Sequence, residues 1–168
     1  SVEGKSFDHS YLKERGFGDR VIDKFEIGYS LSQKNHFTQY ATDEGYKLKY
    51  LQNSGLTIVN ESNTIDRFRG RIIFPVKSIS GRTIAFGGRI LGNKKNIAKY
   101  INSPESLIYK KSKVLYGIYE SKQSIAKENV CLLVEGYTDV IKLYQKDITN
   151  VVSSSGTAMT ESQIRLIS

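Results

Sequence analysis

Apolar positions in the first sixty residues recur at helical spacing, in short runs separated by glycine. Tyr11-Leu12-Lys13-Glu14-Arg15-Gly16 reads as a helix closed by its glycine, and Val21, Ile22 and Phe25 fall on one helical face. Residues 27–30 form a short strand, 44–52 a further helix closed by Asn53-Ser54-Gly55, and Leu56-Thr57-Ile58-Val59 a β-rich run.

Strand-forming runs take over in the middle of the chain. Arg71-Ile72-Ile73-Phe74-Pro75-Val76-Lys77 and Arg82-Thr83-Ile84-Ala85-Phe86 predict two strands, joined as a hairpin through Ser78-Ile79-Ser80-Gly81. Pro75 has no amide proton to give a ladder, which predicts an edge or irregular strand. Gly92-Asn93-Lys94-Lys95-Asn96 is a polar loop. The turn formers of Lys99-Tyr100-Ile101-Asn102-Ser103-Pro104 place that run on an exposed loop rather than a long helix or strand.

Beyond Val114 the spacing predicts a pair of helices, followed by the wholly apolar Val130-Cys131-Leu132-Leu133-Val134 as a buried strand. A helix from Thr138 to about Gln145 and a strand at Val151-Val152 complete the pattern. Strand, helix and strand in that order make a right-handed βαβ unit on a parallel sheet. The fold class expected is α/β: an α+β first part followed by a Rossmann-like βαβ part.

Charge sharpens this picture. The chain of 168 residues is 39% hydrophobic, enough to bury a core, and carries a formal charge of +8. Twelve of its 25 Lys and Arg fall within residues 67–113 beside a single acid, Glu105, which leaves that stretch at +11 and the remainder at −3. A merely solvated surface interleaves both signs, so the block points to a polyanionic partner. The lone Cys131 excludes a disulfide framework, and His9 and His36 are too isolated for a zinc site. No apolar run approaches the roughly 18 residues that span a bilayer, and Ser1-Val2-Glu3-Gly4 is no signal peptide. The expectation is a soluble, cytoplasmic protein.

Several residues could carry chemistry. Glu135 follows the apolar strand directly, at the carboxyl end where open α/β sheets place ligands, and reads either as a metal-binding carboxylate or as an acid opening the next helix. Asp139 lies in the first turn of that helix, where an acid meets the helix dipole. The small residues of Ser153-Ser154-Ser155-Gly156-Thr157-Ala158 could bring backbone N–H groups near phosphate. Gly87-Gly88-Arg89 is too short for a dinucleotide motif and reads as a bulge or a close backbone approach that presents Arg89. On an extended backbone Arg67, Arg69 and Arg71 would share one face and match a run of phosphates, or blunt an edge strand with charge. Lys99-Tyr100-Ile101-Asn102 offers a cation, an aromatic face and an amide for phosphate, base or ribose.

Four longer motifs occur in a fixed order: Asp66-Arg67-Phe68-Arg69-Gly70-Arg71-Ile72-Ile73-Phe74-Pro75, Phe86-Gly87-Gly88-Arg89, Lys99-Tyr100-Ile101-Asn102-Ser103-Pro104-Glu105, and Val134-Glu135-Gly136-Tyr137-Thr138-Asp139-Val140. Together they closely resemble the bacterial DnaG-type replicative primase. Tyr11 to Gly16 and Ser155-Gly156-Thr157-Ala158 resemble the same family, so the likeness runs through nearly the whole chain.

The resemblance implies an RNA polymerase domain that makes RNA primers for DNA replication. Residues 1–127 would be its basic N-terminal subdomain and 128–168 the beginning of a TOPRIM (topoisomerase-primase) fold. It implies that Arg15 and Arg89 meet the single-stranded DNA template, joined there by Arg71. Arg67, Arg69, Lys99, Tyr100 and Asn102 would handle nucleoside triphosphates, and Glu135 would open a site for Mg²⁺ or Mn²⁺ serving phosphoryl transfer. The family's later aspartate pairs are expected beyond Ser168, and its zinc-binding and helicase-binding regions outside this sequence. The piece alone is therefore expected to be inactive. Two other readings stay open: a non-catalytic nucleic-acid-binding module, and a TOPRIM nuclease or topoisomerase.

Overall fold

The structure is a computed structural model, and it describes residues 12–14, 16–61, 63–92, 96–156 and 158–168. Residues 12–14 are helical, and the Gly16 and Phe17 amides close that turn on the Lys13 and Leu12 carbonyls, with Gly16 in the left-handed region at φ 81°. Helix α1 (Asp19–Lys24) buries Val21 and Ile22, with Phe25 buried just beyond its end, and strand β1 (Gly28–Ser30) follows.

The helix expected over 44–52 forms only in its second half, and a helix that the spacing did not predict precedes it. α2 (His36–Asp43) precedes a turn in which Gly45 takes φ 89°, and α3 (Leu48–Asn53) starts after the extended Lys47. Next comes a hairpin of β2 (Thr57–Asn60) and β3 (Asn63–Asp66), the second strand of which the alternation did not predict.

The centre of the molecule is a four-stranded antiparallel sheet in the order β1-β4-β5-β6, with β4 (Arg71–Lys77), β5 (Thr83–Ile90) and β6 (Tyr100–Asn102). β1 pairs with β4 only as far as Ile73, so β4 is an edge from there on, and Pro75 sits in that part, just before a register shift between Val76 and Lys77. β6 corrects the expectation of a loop. Its three residues continue the ladder of β5, pairing Tyr100 with Arg89, Ile101 with Gly88 and Asn102 with Gly87.

The expected helix pair after Val114 is one helix, α4 (Ile118–Glu128). Ahead of it come a single 3₁₀ turn (Lys111–Lys113) and an antiparallel bridge from Tyr116 to Ser153. The βαβ unit is present as predicted: β7 (Leu132–Val134), α5 (Tyr137–Gln145) and β8 (Val151–Ser153), with β7 and β8 parallel. A short α6 (Glu161–Ile164), capped by Thr160 and Gln163, ends the described chain.

The apolar run at 130–134 is not buried. Leu132 and Leu133 are 40% and 47% exposed, whereas all of β8 is buried. β8 is paired on both sides, by β7 and by Tyr116, while β7 pairs with β8 alone and carries no such cover among the described residues. The main core joins both halves of the chain: Phe74 of β4 stacks on Tyr137 of α5 at 5.5 Å, and Tyr137 meets Tyr116 edge-on at 4.6 Å. Among the described residues no helix is long and apolar enough to cross a membrane.

Candidate nucleotide and nucleic-acid interface

Gly87 and Gly88 on β5 give the site its shape. A Cβ at Gly87 would overlap the ring of Tyr137, and one at Gly88 would overlap that of Phe68. The Gly87-Gly88 pair thus serves close approach, which lets α5 and the turn after β3 press against opposite positions of one strand. Next along β5, Arg89 is buried, only 7% exposed, and its guanidinium lies 5.7 Å from the centre of the ring of Tyr100, its cross-strand partner. Lys99 and Tyr100 are exposed beside it.

Asn102 pairs with Gly87, and its side-chain Oδ1 accepts a hydrogen bond of 2.6 Å from the Tyr137 hydroxyl. Burial raises the Tyr137 pKa, a hydrogen bond with Ser155 opposes that, and the charge of Tyr100 adds to it. Two residues earlier, Glu135 directly follows β7 and is exposed, and its carbonyl accepts from the Ser153 hydroxyl at 2.8 Å. That hydroxyl also accepts the Ser155 amide at 2.9 Å, tying the loop after β8 to the same point. Asn102 is thus joined to Tyr137, and the Glu135 carbonyl and the Ser155 amide to the Ser153 hydroxyl, although 33 residues separate Asn102 from Glu135 in sequence.

The arginine row does not form. Residues 67–70 are a turn, so no extended backbone aligns Arg67 with Arg69 and Arg71. Arg67 donates from Nε to the Gly55 carbonyl at 2.7 Å, next to Pro104, while Arg69 is exposed. Arg71 turns inward: it is 6% exposed, and its Nη1 donates to the carbonyls of Ala98 at 2.9 Å and Lys99 at 3.4 Å. Burial lowers its pKa, and the neighbouring Arg69 charge adds to that. Its guanidinium thus holds the backbone that presents Lys99.

Nor does every cation of the basic block face outward. Lys77 is buried between Glu26 at 3.0 Å and Glu120 at 3.2 Å. Arg15, Lys94 and Lys95 lie outside the described residues. The carboxylates present do not complete a metal site: Asp139 lies near Gly136 in the first turn of α5, and no group of three His, Cys, Asp or Glu converges among the described residues. Tyr137 is the residue that the chemical reading of the sequence passed over. Its signal is an aromatic in the first turn of a helix directly after Glu135-Gly136, on the face turned to the sheet.

The family described as DNA primase catalytic core, N-terminal domain, matches residues 2–122. The chain belongs to that family. A Toprim domain matches residues 129–168 of this primase core, and membership implies divalent-metal use in general. Among relatives, the DNA primase of Halalkalibacterium halodurans is 43% identical over 98% of this chain, which spans 27% of that protein. The Escherichia coli primase catalytic core matches with a TM-score of 0.88 at 38% identity, over 97% of this chain and 52% of its own. A DnaG primase catalytic domain bound to single-stranded DNA matches with a TM-score of 0.86 at 38% identity, over 95% of this chain and 51% of its own. This primase core thus spans about a quarter of its full-length relative and about half of the solved catalytic cores.

Proposed function

We propose that this chain is the template- and nucleotide-holding part of a bacterial DNA primase, a DNA-dependent RNA polymerase that makes RNA primers at the replication fork in the cytoplasm. Residues 1–127 form the basic subdomain and 128–168 the opening of the Toprim fold. The observation that carries this reading is the hydrogen bond between Tyr137 and Asn102, which joins the Lys99 to Asn102 motif to the segment that bears Glu135.

In this reading Lys99, Tyr100 and Asn102, with Arg67 and Arg69, meet the nucleoside triphosphate: cations on phosphate, the Tyr100 ring against base or sugar, the amide on an oxygen. Arg89 and Arg15 face the single-stranded template. Arg71 belongs with them through the backbone it holds. The solved catalytic domain carrying single-stranded DNA supports the template assignment. Glu135 is one ligand for Mg²⁺ or Mn²⁺. A single carboxylate does not close such a site, so the residues present here bind and orient rather than complete phosphoryl transfer. The RNA primer and the replicative helicase are partners of the longer protein, as is the zinc of its separate domain.

Lys99→Ala tests the nucleotide assignment. In titrations of the chain with ATP and, separately, with a single-stranded oligonucleotide, it should weaken ATP about tenfold and the oligonucleotide less, as expected for one charged contact. Unchanged ATP affinity would remove Lys99 from the nucleotide site. A module that binds nucleic acid without chemistry would hold the oligonucleotide and show no competition by ATP.

A further inference from the structure

The Tyr137 ring cannot swing. It is stacked on Phe74, met edge-on by Tyr116 and seated in the space that Gly87 leaves by having no side chain. Asn102 is fixed from the other side, since its backbone pairs with Gly87 in the β5–β6 ladder. The 2.6 Å bond from the Tyr137 hydroxyl to Asn102 Oδ1 therefore joins two groups whose positions are already set.

An asparagine amide has one accepting end and one donating end, and a ligand could meet either. With the carbonyl end engaged by Tyr137, the N–H₂ end remains for a ligand.

We propose that Tyr137 is a positioning residue that fixes the amide of Asn102 as a donor, so that this point of the site accepts an oxygen acceptor of the nucleotide, a phosphate or sugar oxygen, rather than a donor group. The inference rests on the reading of Asn102 as a nucleotide contact.

The experiment measures binding of ATP, in the presence of Mg²⁺, to the full chain carrying Asn102→Ala, Asn102→Asp, Tyr137→Phe and the double variant Asn102→Ala/Tyr137→Phe, with thermal unfolding recorded for each. Tyr137→Phe keeps the ring and its packing. It should leave the melting temperature within about 4 °C of the parent, as for a change of about 1 kcal/mol or less, and weaken ATP about three- to tenfold. Asn102→Asp keeps the acceptor for Tyr137 but has no N–H₂, and should bind ATP as weakly as Asn102→Ala. The double variant should be no weaker than Asn102→Ala alone.

If Asn102→Ala leaves ATP binding intact, the nucleotide reading of Asn102 fails. If it weakens ATP while Tyr137→Phe does not, that reading stands and the positioning role is overturned. Additive losses in the double variant also overturn it, since the hydroxyl would then act by another route than the amide.

Discussion

The Asp66 carboxylate accepts from Thr38 twice, from the backbone N–H at 3.0 Å and from the hydroxyl at 2.6 Å. It also accepts the Phe37 amide at 2.7 Å, so the first turn of α2 is capped by a side chain 28 and 29 positions away in sequence. Asp66 is 2% exposed. Asp66→Ala would leave the Phe37 and Thr38 amides without their acceptor, and urea unfolding should show a loss of about 2–4 kcal/mol. A loss under about 1 kcal/mol would mean that α2 is held by packing alone.

That distant cap explains why α2 was not legible in the sequence. Its start, Asn35-His36-Phe37-Thr38, makes no side-chain cap of its own, so no local signal marks it. β4, α5 and β8 were legible because their pattern is local and their apolar faces meet the core. β6 was missed because three residues beside turn formers become a strand only through the edge that β5 offers them. The motifs at 99–102 and 134–140 were legible, but not their meeting through Asn102 and Tyr137. The alternation of Arg67, Arg69 and Arg71 misled because a turn at 67–70 interrupts it.

Lys77 makes the fold sensitive to alkali. Burial alone would lower its pKa, but the hydrogen bond it donates to Glu26 and its charge pairing and hydrogen bond with Glu120 outweigh that and raise it. A lysine whose folded pKa lies above its unfolded one contributes stability that is fully present below the ordinary lysine range, near about 10.4, and is lost as pH rises through the folded value. Tyr109, pushed up to about 12 by burial with the charges of Tyr137 and Glu105 adding, acts in the same direction. The melting temperature should therefore hold steady from pH 7 to 9 and fall above about 10. Lys77→Met should flatten part of that fall while costing about 3–5 kcal/mol at pH 7, because it leaves Glu120 buried without its cation.

Tyr116 is 2% exposed, and its hydroxyl has no hydrogen-bond partner among the described residues. Tyr116→Phe removes the unpaired group and keeps the ring between Phe25 and Tyr137. Chemical denaturation should show a change between zero and about 1 kcal/mol in the stabilising direction. A loss above 1 kcal/mol would show that the hydroxyl is satisfied in solution.

For Arg89→Lys, the charge stays while the planar guanidinium over Tyr100 goes. Single-stranded DNA affinity should fall about threefold with little change in its salt slope. Arg89→Ala should weaken binding further and make the slope shallower by about one unit. An unchanged slope in Arg89→Ala would take Arg89 off the template.

Chemical-shift mapping of the chain titrated with ATP and Mg²⁺ tests the central claim most directly, that β6 and the segment after β7 form one nucleotide site. The account predicts that the largest changes cluster at Lys99, Tyr100 and Asn102 together with Glu135, Gly136 and Tyr137. Changes confined to one of the two segments, or centred on another face such as α2 and α3, would contradict it.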